Sequence, residues 1–78
     1  MPHVTVKMYA GRSNAEKQEL SDRISEAVRD VLGYGPESIS VGIEDVSPSD
    51  WMEKVYATDI RPKEDTLFKR PGYGPLAR

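Results

Sequence analysis

From His3 to Tyr9 apolar and polar residues alternate, with Val4, Val6 and Met8 on one side of the chain and His3, Thr5, Lys7 and Tyr9 on the other. A period of two is that of a half-buried strand. The period then changes: Leu20, Ile24, Ala27, Val28, Val31 and Leu32 make the stripe of an amphipathic helix. Ser13 followed by Glu16 predicts where that helix starts, the serine capping an amide of the first turn and the glutamate reaching back. Gly33 predicts its end, because glycine takes the left-handed conformation needed just past a helix. Lys17, Glu19, Asp22, Arg23, Glu26, Arg29 and Asp30 form the solvated face, with Glu19 and Arg23 in the favourable i,i+4 order.

Tyr34 to Ser38 predict a turn, and alternation resumes from Ile39 to Val46, with Ile39, Val41 and Ile43 opposite Ser40, Gly42 and Glu44. Strand, helix and strand in this order make a β-α-β unit with parallel strands, an α+β fold with one long helix on the sheet. Beyond it, Ser47-Pro48-Ser49-Asp50 predicts one short helical turn closed by Trp51, and weak alternation predicts a short extended segment from Glu53 to Ile60. Pro62, Glu64 and Asp65 before Leu67 and Phe68 suggest a last short helix. Pro71-Gly72-Tyr73-Gly74-Pro75 must turn, and Ala77-Arg78 are expected to fray. The chain is expected to form a single domain, residues 1–78, with 62–78 as a short C-terminal extension.

The 78 residues are 37% hydrophobic and 31% charged. A core in so short a chain seldom supplies more than about 3–5 kcal/mol, so small proteins add cross-links, a metal or a partner. With no cysteine and a single histidine, disulfides and a transition-metal site are excluded and no cofactor is expected, which leaves self-association. A second protomer could also extend a sheet too narrow to stand alone. A net charge of -2 argues against nucleic acid as a partner. No apolar run approaches the roughly 20 residues of a membrane span, and no signal peptide is evident, so a cytoplasmic protein is expected.

Candidate chemistry begins at Met1-Pro2. Methionine before a small residue is normally removed, which would leave Pro2 as a free secondary amine. An α-amine ordinarily titrates near pH 8, and burial or a nearby cation lowers that value toward the range of an effective general base. The plainer reading is a processed start residue at a strand edge, and with Met1 retained the Pro2 nitrogen is an amide without basicity. Arg12, at the far end of the strand, could grip a carboxylate with two parallel hydrogen bonds or be a surface arginine in a loop. Trp51 could wall a pocket or belong to a core or interface. His3 is read as pointing to solvent or a partner, with no role in proton transfer.

Together, Met1-Pro2, the first strand, Gly11-Arg12-Ser13, the capped helix and the Ser38-to-Val46 strand resemble the tautomerase superfamily, specifically its small 4-oxalocrotonate tautomerase-like proteins, over residues 2–60. Lys69-Arg70-Pro71-Gly72-Tyr73 resembles the tail of that family's extended bacterial branch. The resemblance implies a protomer that pairs through its sheet and an isomerase in which Pro2 moves a proton between an enol oxygen and carbon. It further implies that Arg12 holds the substrate carboxylate, often from a neighbouring chain, and that Trp51 is the aromatic pocket residue. Ser40 stands where the best-known members carry a second arginine. A 2-oxo acid with one carboxylate, a 2-hydroxy-dienoate or an aryl enolpyruvate, therefore fits better than a dicarboxylate, unless Arg61 or Arg70 supplies the cation.

Two alternatives accompany this expectation. One is a hydratase or dehalogenase of an unsaturated or halogenated acid, which normally needs a further carboxylate; Glu44, Asp50 and Glu53 are too weakly placed to nominate one. The other is a non-catalytic small-molecule-binding or assembly module, should Met1 be retained. A dimer is preferred over a trimer or hexamer, because the added tail could cover the surface on which dimers stack.

Overall fold

Strands β1 (His3–Tyr9) and β2 (Ser40–Val46) pair in parallel, joined by helix α1 (Asn14–Leu32). The register runs without a break from His3 opposite Ser40 to Tyr9 opposite Val46. In the computed structural model, which describes residues 1–77, these elements make one compact unit, Met1–Val46, and the chain from Ser47 onward makes a second. The predicted β-α-β unit is thus present, with α1 lying against β2.

The ends of α1 form as the sequence predicts. Ser13 is extended (φ -72°, ψ 159°) and its hydroxyl accepts the Glu16 amide at 3.1 Å, while the Glu16 carboxylate accepts the Ser13 amide at 3.0 Å. At the other end Gly33 is left-handed (φ 77°) and returns its N–H to the Arg29 carbonyl at 2.9 Å. Glu19 and Arg23 pair on the exposed face at 3.5 Å.

The face α1 turns inward differs from the predicted stripe. Its half-buried positions are Lys17, Ser21, Ile24, Ser25 and Val28, whereas Val31 and Leu32 are 80% and 60% exposed. Two strands are too narrow to cover the whole apolar stripe, so the helix settles on a mixed face that shares only Ile24 and Val28 with it. Lys17 leaves the solvated set for the same reason: its ammonium reaches Asp45 of β2 at 2.7 Å. None of the described residues in this unit is fully buried.

The second unit corrects the sequence reading more strongly. Pro48–Asp50 is a 3₁₀ turn as expected, although the Ser47 hydroxyl bonds Ser49 at 3.0 Å and makes no capping hydrogen bond. Trp51 does not close the helical turn; it continues it (φ -58°, ψ -53°) into a π-helical segment, Met52–Ile60, where an extended segment is expected. The wider π winding is seen where the Arg61 N–H reaches back five residues to the Tyr56 carbonyl. Here the buried and half-buried positions are Trp51, Val55, Tyr56, Asp59 and Ile60, a helical spacing that outweighs the weak alternation of a strand. Val55 and Tyr56 are 4% and 2% exposed and form this unit's core. The last short helix is 3₁₀, Arg61–Thr66, with a kink at Lys63 (φ -111°, ψ 29°). Ala77 is not frayed, since its N–H reaches the Gly74 carbonyl at 3.1 Å; Arg78 lies outside the described residues.

The capping box has a pH signature. The Ser13 amide, then its hydroxyl, and lastly the Arg12 guanidinium favour ionised Glu16 and lower its pKa from the ordinary 4.5. A carboxylate whose pKa falls on folding contributes stability that is present above its unfolded pKa and lost as pH drops through the folded one. Ser13→Ala is expected to destabilise the protein by about 1 kcal/mol at neutral pH. Thermal unfolding should show the difference from wild type shrinking as pH falls below the ordinary Glu16 value of 4.5 and Glu16 becomes protonated.

Candidate active site

Parallel pairing brings the starts of both strands together. Pro2 is half-buried, and its carbonyl accepts the Ser40 N–H at 3.2 Å, so the residue is pinned to the sheet just before β1 begins. Met1 projects beyond it, 98% exposed. While Met1 is attached, the Pro2 nitrogen is a peptide nitrogen with no hydrogen and no basicity.

His3 and Ser40 share the first rung of the ladder. His3 Nδ1 lies 2.6 Å from Ser40 Oγ, and Nε2 lies 3.2 Å from Thr5 Oγ1, so both ring nitrogens are engaged. Lys17 meets Asp45 on the helix side of the sheet. Alternation therefore puts Ser40 and His3 on the side facing away from α1. His3, read from the sequence as facing solvent or a partner chain, is exposed, and its ring is engaged by Ser40 and Thr5 of the same chain. The parallel register is the signal that finds this contact, since each residue opens its strand.

Arg12 lies at the opposite end of β1. At about 3.3 Å per residue the seven-residue strand by itself spans roughly 20 Å, so Pro2 and Arg12 of one chain do not meet. Gly11 makes the turn between strand and helix with φ 121°. The Arg12 guanidinium rests 3.4 Å from the Glu16 carboxylate, both side chains more than half exposed. Such a pair is worth little. The chief causes of the lowered Glu16 pKa are its bonds to Ser13, so Arg12 can turn to another anion without uncapping α1.

Trp51 belongs to the second unit, where its indole N–H donates to the Tyr73 hydroxyl at 2.8 Å. Tyr73 in turn is held by Tyr56. The rings meet edge to face at 5.4 Å between centroids, and the Tyr56 hydroxyl donates to the Tyr73 carbonyl at 3.2 Å while accepting the Leu76 N–H at 2.7 Å. Gly74 is left-handed (φ 71°) and lies so close that a Cβ there would sit 2.8 Å from the Tyr56 ring. The Pro-Gly-Tyr-Gly-Pro turn is thus a wrap around one buried tyrosine, and sequence reasoning missed that it fixes Trp51. Arg70, read as a solvated arginine or a second cation, instead pairs with Glu64 at 2.8 Å and contacts the Leu76 carbonyl at 3.4 Å. Arg61 is exposed at the start of the 3₁₀ helix.

Two open grooves flank α1 within the first unit. One of about 310 Å³ is lined by Asp22, Ser25, Glu26, Arg29, Pro36 and Ile39. The other, about 410 Å³, is lined by Asn14, Lys17, Gln18, Ser21, Val41 and Ile43. Neither includes a predicted site residue. No cluster of metal-ligating side chains occurs among the described residues.

Comparison with known proteins bears on this arrangement. A family model described as tautomerase enzyme matches residues 2–55. A protein of Xylella fastidiosa (strain 9a5c) named probable tautomerase is 51% identical over 77 residues, covering 99% of this chain and 94% of that protein. The 2-hydroxymuconate tautomerase of Bacillus subtilis (strain 168) is 44% identical over 46 residues, 59% of this chain and 74% of its own length. Among solved structures, TomN, a 4-oxalocrotonate tautomerase homologue in the tomaymycin biosynthetic pathway, superposes with a TM-score of 0.63 at 30% identity, covering 64% of this chain and 77% of TomN.

Tyr73→Phe removes the acceptor of the indole N–H and should cost about 1 kcal/mol. The intrinsic fluorescence of Trp51, the chain's one tryptophan, is expected to change with it while the circular dichroism spectrum stays the same. Gly74→Ala, strained in both φ and contact, should lower the unfolding temperature more than Tyr73→Phe does.

Proposed function

The chain belongs to the tautomerase enzyme family and is an isomerase, and from that premise we propose that it interconverts the enol and keto forms of a 2-oxo acid with Pro2 as the proton carrier. The observation that carries the reading is Pro2 itself: the residue where the family match begins, with its carbonyl bonded to Ser40 and an exposed methionine before it. Removal of Met1 turns this nitrogen into a cyclic secondary amine on an ordered strand. In its neutral form the amine takes the enol hydroxyl proton, and as the ammonium it returns a proton to carbon, so that base and acid are one group.

Arg12 is proposed to hold the substrate carboxylate, because its guanidinium is exposed and only loosely paired. Because β1 separates Pro2 from Arg12 of the same chain, this arginine is proposed to come from a neighbouring protomer. A guanidinium near the amine, together with apolar walls, would lower the Pro2 pKa toward neutrality. Trp51 is proposed as the flat wall against which a diene or aryl group stacks, its indole held by Tyr73. Ser40 offers a neutral hydroxyl, which favours 2-hydroxy-dienoates and aryl enolpyruvates with one carboxylate.

An assembly of copies follows from the same reading. The first unit has no fully buried residue among those described, and Leu20, Val31 and Leu32 of α1 are exposed, so packing against another copy would supply burial that one chain lacks. A homodimer is proposed as the smallest assembly that joins Pro2 of one chain to Arg12 of another.

Intact mass spectrometry is expected to show a chain beginning at Pro2. With phenylenolpyruvate as substrate, Pro2→Ala should lose at least about a hundredfold in kcat/KM. Arg12→Ala should lose about tenfold or more, mainly through KM. Equal rates for Pro2→Ala and wild type would exclude the proline mechanism, and turnover of a haloacrylate in preference to the enol would assign the site to dehalogenation. Sedimentation as a monomer at assay concentration would contradict the shared cleft.

A further inference from the structure

We propose that Tyr73 is a specificity-determining residue whose phenolic hydrogen is donated to an oxygen acceptor at the far end of a flat 2-oxo acid. The inference rests on the reading of Trp51 as the wall against which the substrate lies, and it adds the residue at that wall's polar edge.

Three contacts hold Tyr73 in the tail, and none of them uses its hydroxyl. Its ring meets the Tyr56 ring edge to face at 5.4 Å, its carbonyl accepts the Tyr56 hydroxyl at 3.2 Å, and left-handed Gly74 (φ 71°) follows it against the same ring. A phenylalanine would make all three. The hydroxyl is therefore not needed to close the tail on Tyr56. Among the described residues its one hydrogen bond is the one it accepts from the Trp51 indole N–H at 2.8 Å.

A phenol oxygen that accepts a hydrogen bond still has its own hydrogen to give. Here that hydrogen goes to no described residue, and Tyr73 is 44% exposed, so the donor is open to a ligand. The bond received from the indole also polarises the O–H and makes it a better donor.

An indole N–H lies in the plane of its ring, so a hydrogen bond drawn along it sets the Tyr73 oxygen off the nitrogen edge of Trp51. Trp51 itself is half-buried. The two side chains thus form one amphipathic surface, a flat apolar face bordered by a single directed donor. A ring or diene on the face keeps its apolar contact, and a substituent oxygen extending past the nitrogen edge meets the hydroxyl. Phenylenolpyruvate, with no oxygen on its ring, leaves this donor to water. An alkyl substituent covers the donor and gives it no acceptor, which is unfavourable. The substrate class selected is a conjugated 2-oxo acid with an ether, carbonyl or similar acceptor beyond its flat part.

The test compares para- and meta-methoxyphenylenolpyruvate with the ethyl compounds of the same shape. A methoxy oxygen accepts a hydrogen bond and has none to give, so a preference for it reveals a donor on the protein. The kcat/KM for methoxy is divided by that for ethyl in wild type and in Tyr73→Phe, and comparing the two ratios cancels the intrinsic reactivity of the enols. At one ring position the wild-type ratio is expected to be about fivefold higher, with the difference lying in KM. A shift of Trp51 alone would affect both compounds alike. Titrations of Trp51 fluorescence with unreactive hydrocinnamates bearing the same groups should show the same preference in Kd. Equal ratios in wild type and Tyr73→Phe at both positions, with the fluorescence still responding to the acids, overturn the proposal. Fluorescence that responds to none of the acids, together with unchanged turnover of phenylenolpyruvate by Trp51→Leu, overturns instead the reading on which it rests. Circular dichroism checks that each variant folds before rates are compared.

Discussion

The parallel register of two short strands is the constraint on which the rest depends. Because β1 and β2 run the same way, their first residues are neighbours, and the start of one strand is also the start of the other. This puts Pro2, His3 and Ser40 side by side although 38 positions separate the first from the last. The same rule sends Arg12 and the capped start of α1 to the far end. A one-residue slip would turn Ser40 to the helix side and expose Val41. The ladder is held at both extremes, by the Ser40 amide on the Pro2 carbonyl and by the Ala10 amide on the Val46 carbonyl at 3.0 Å, and the Lys17–Asp45 ion pair ties α1 to the far end of β2.

A sheet of two strands cannot use all the apolar surface the sequence provides. The stripe on α1 is wider than the sheet beneath it, and its outer members, Val31 and Leu32 above all, remain exposed. Burial is concentrated instead at Val55 and Tyr56, where a π-helical segment and the glycine-rich tail close on one another. The two units thus manage stability differently. The first is organised by backbone pairing and helix caps, the second by a buried aromatic ring whose hydroxyl serves as both donor and acceptor. Arg70 and Glu64 complete the second with an ion pair on the tail.

Much of this was legible in the sequence because it is local. Alternation marked both strands, and Ser13, Glu16 and Gly33 marked the ends of α1. What failed was non-local or ambiguous. The inward face of α1 depends on the width of the sheet, which the helix sequence does not contain. Lys17 reads as solvated until β2 presents Asp45. From Glu53 to Ile60 the apolar residues satisfy a helical spacing and a weak alternation at once, and packing around Tyr56 decides between them. Among candidate site residues, Pro2, Arg12, Ser40 and Trp51 were found by residue type and resemblance. Their supports, His3 and Tyr73, were missed, because each acts through a contact 22 or more positions away.

The electrostatics of the two strand ends have complementary logic for the proposed chemistry. A group that must bind a substrate anion reversibly has to be held loosely by its own protein, and a group that must position another has to be held tightly. Arg12 meets the first condition. Its exposed pairing with Glu16 has little net worth, and Glu16 stays ionised chiefly through Ser13, so a bidentate substrate carboxylate can displace one weak contact at no cost to the helix cap. His3 and Ser40 meet the second. Imidazole, serine and threonine are linked through both ring nitrogens, and the serine amide is fixed to Pro2. Ser40 is therefore part of a polar network coupled directly to the backbone of Pro2, the proposed proton carrier.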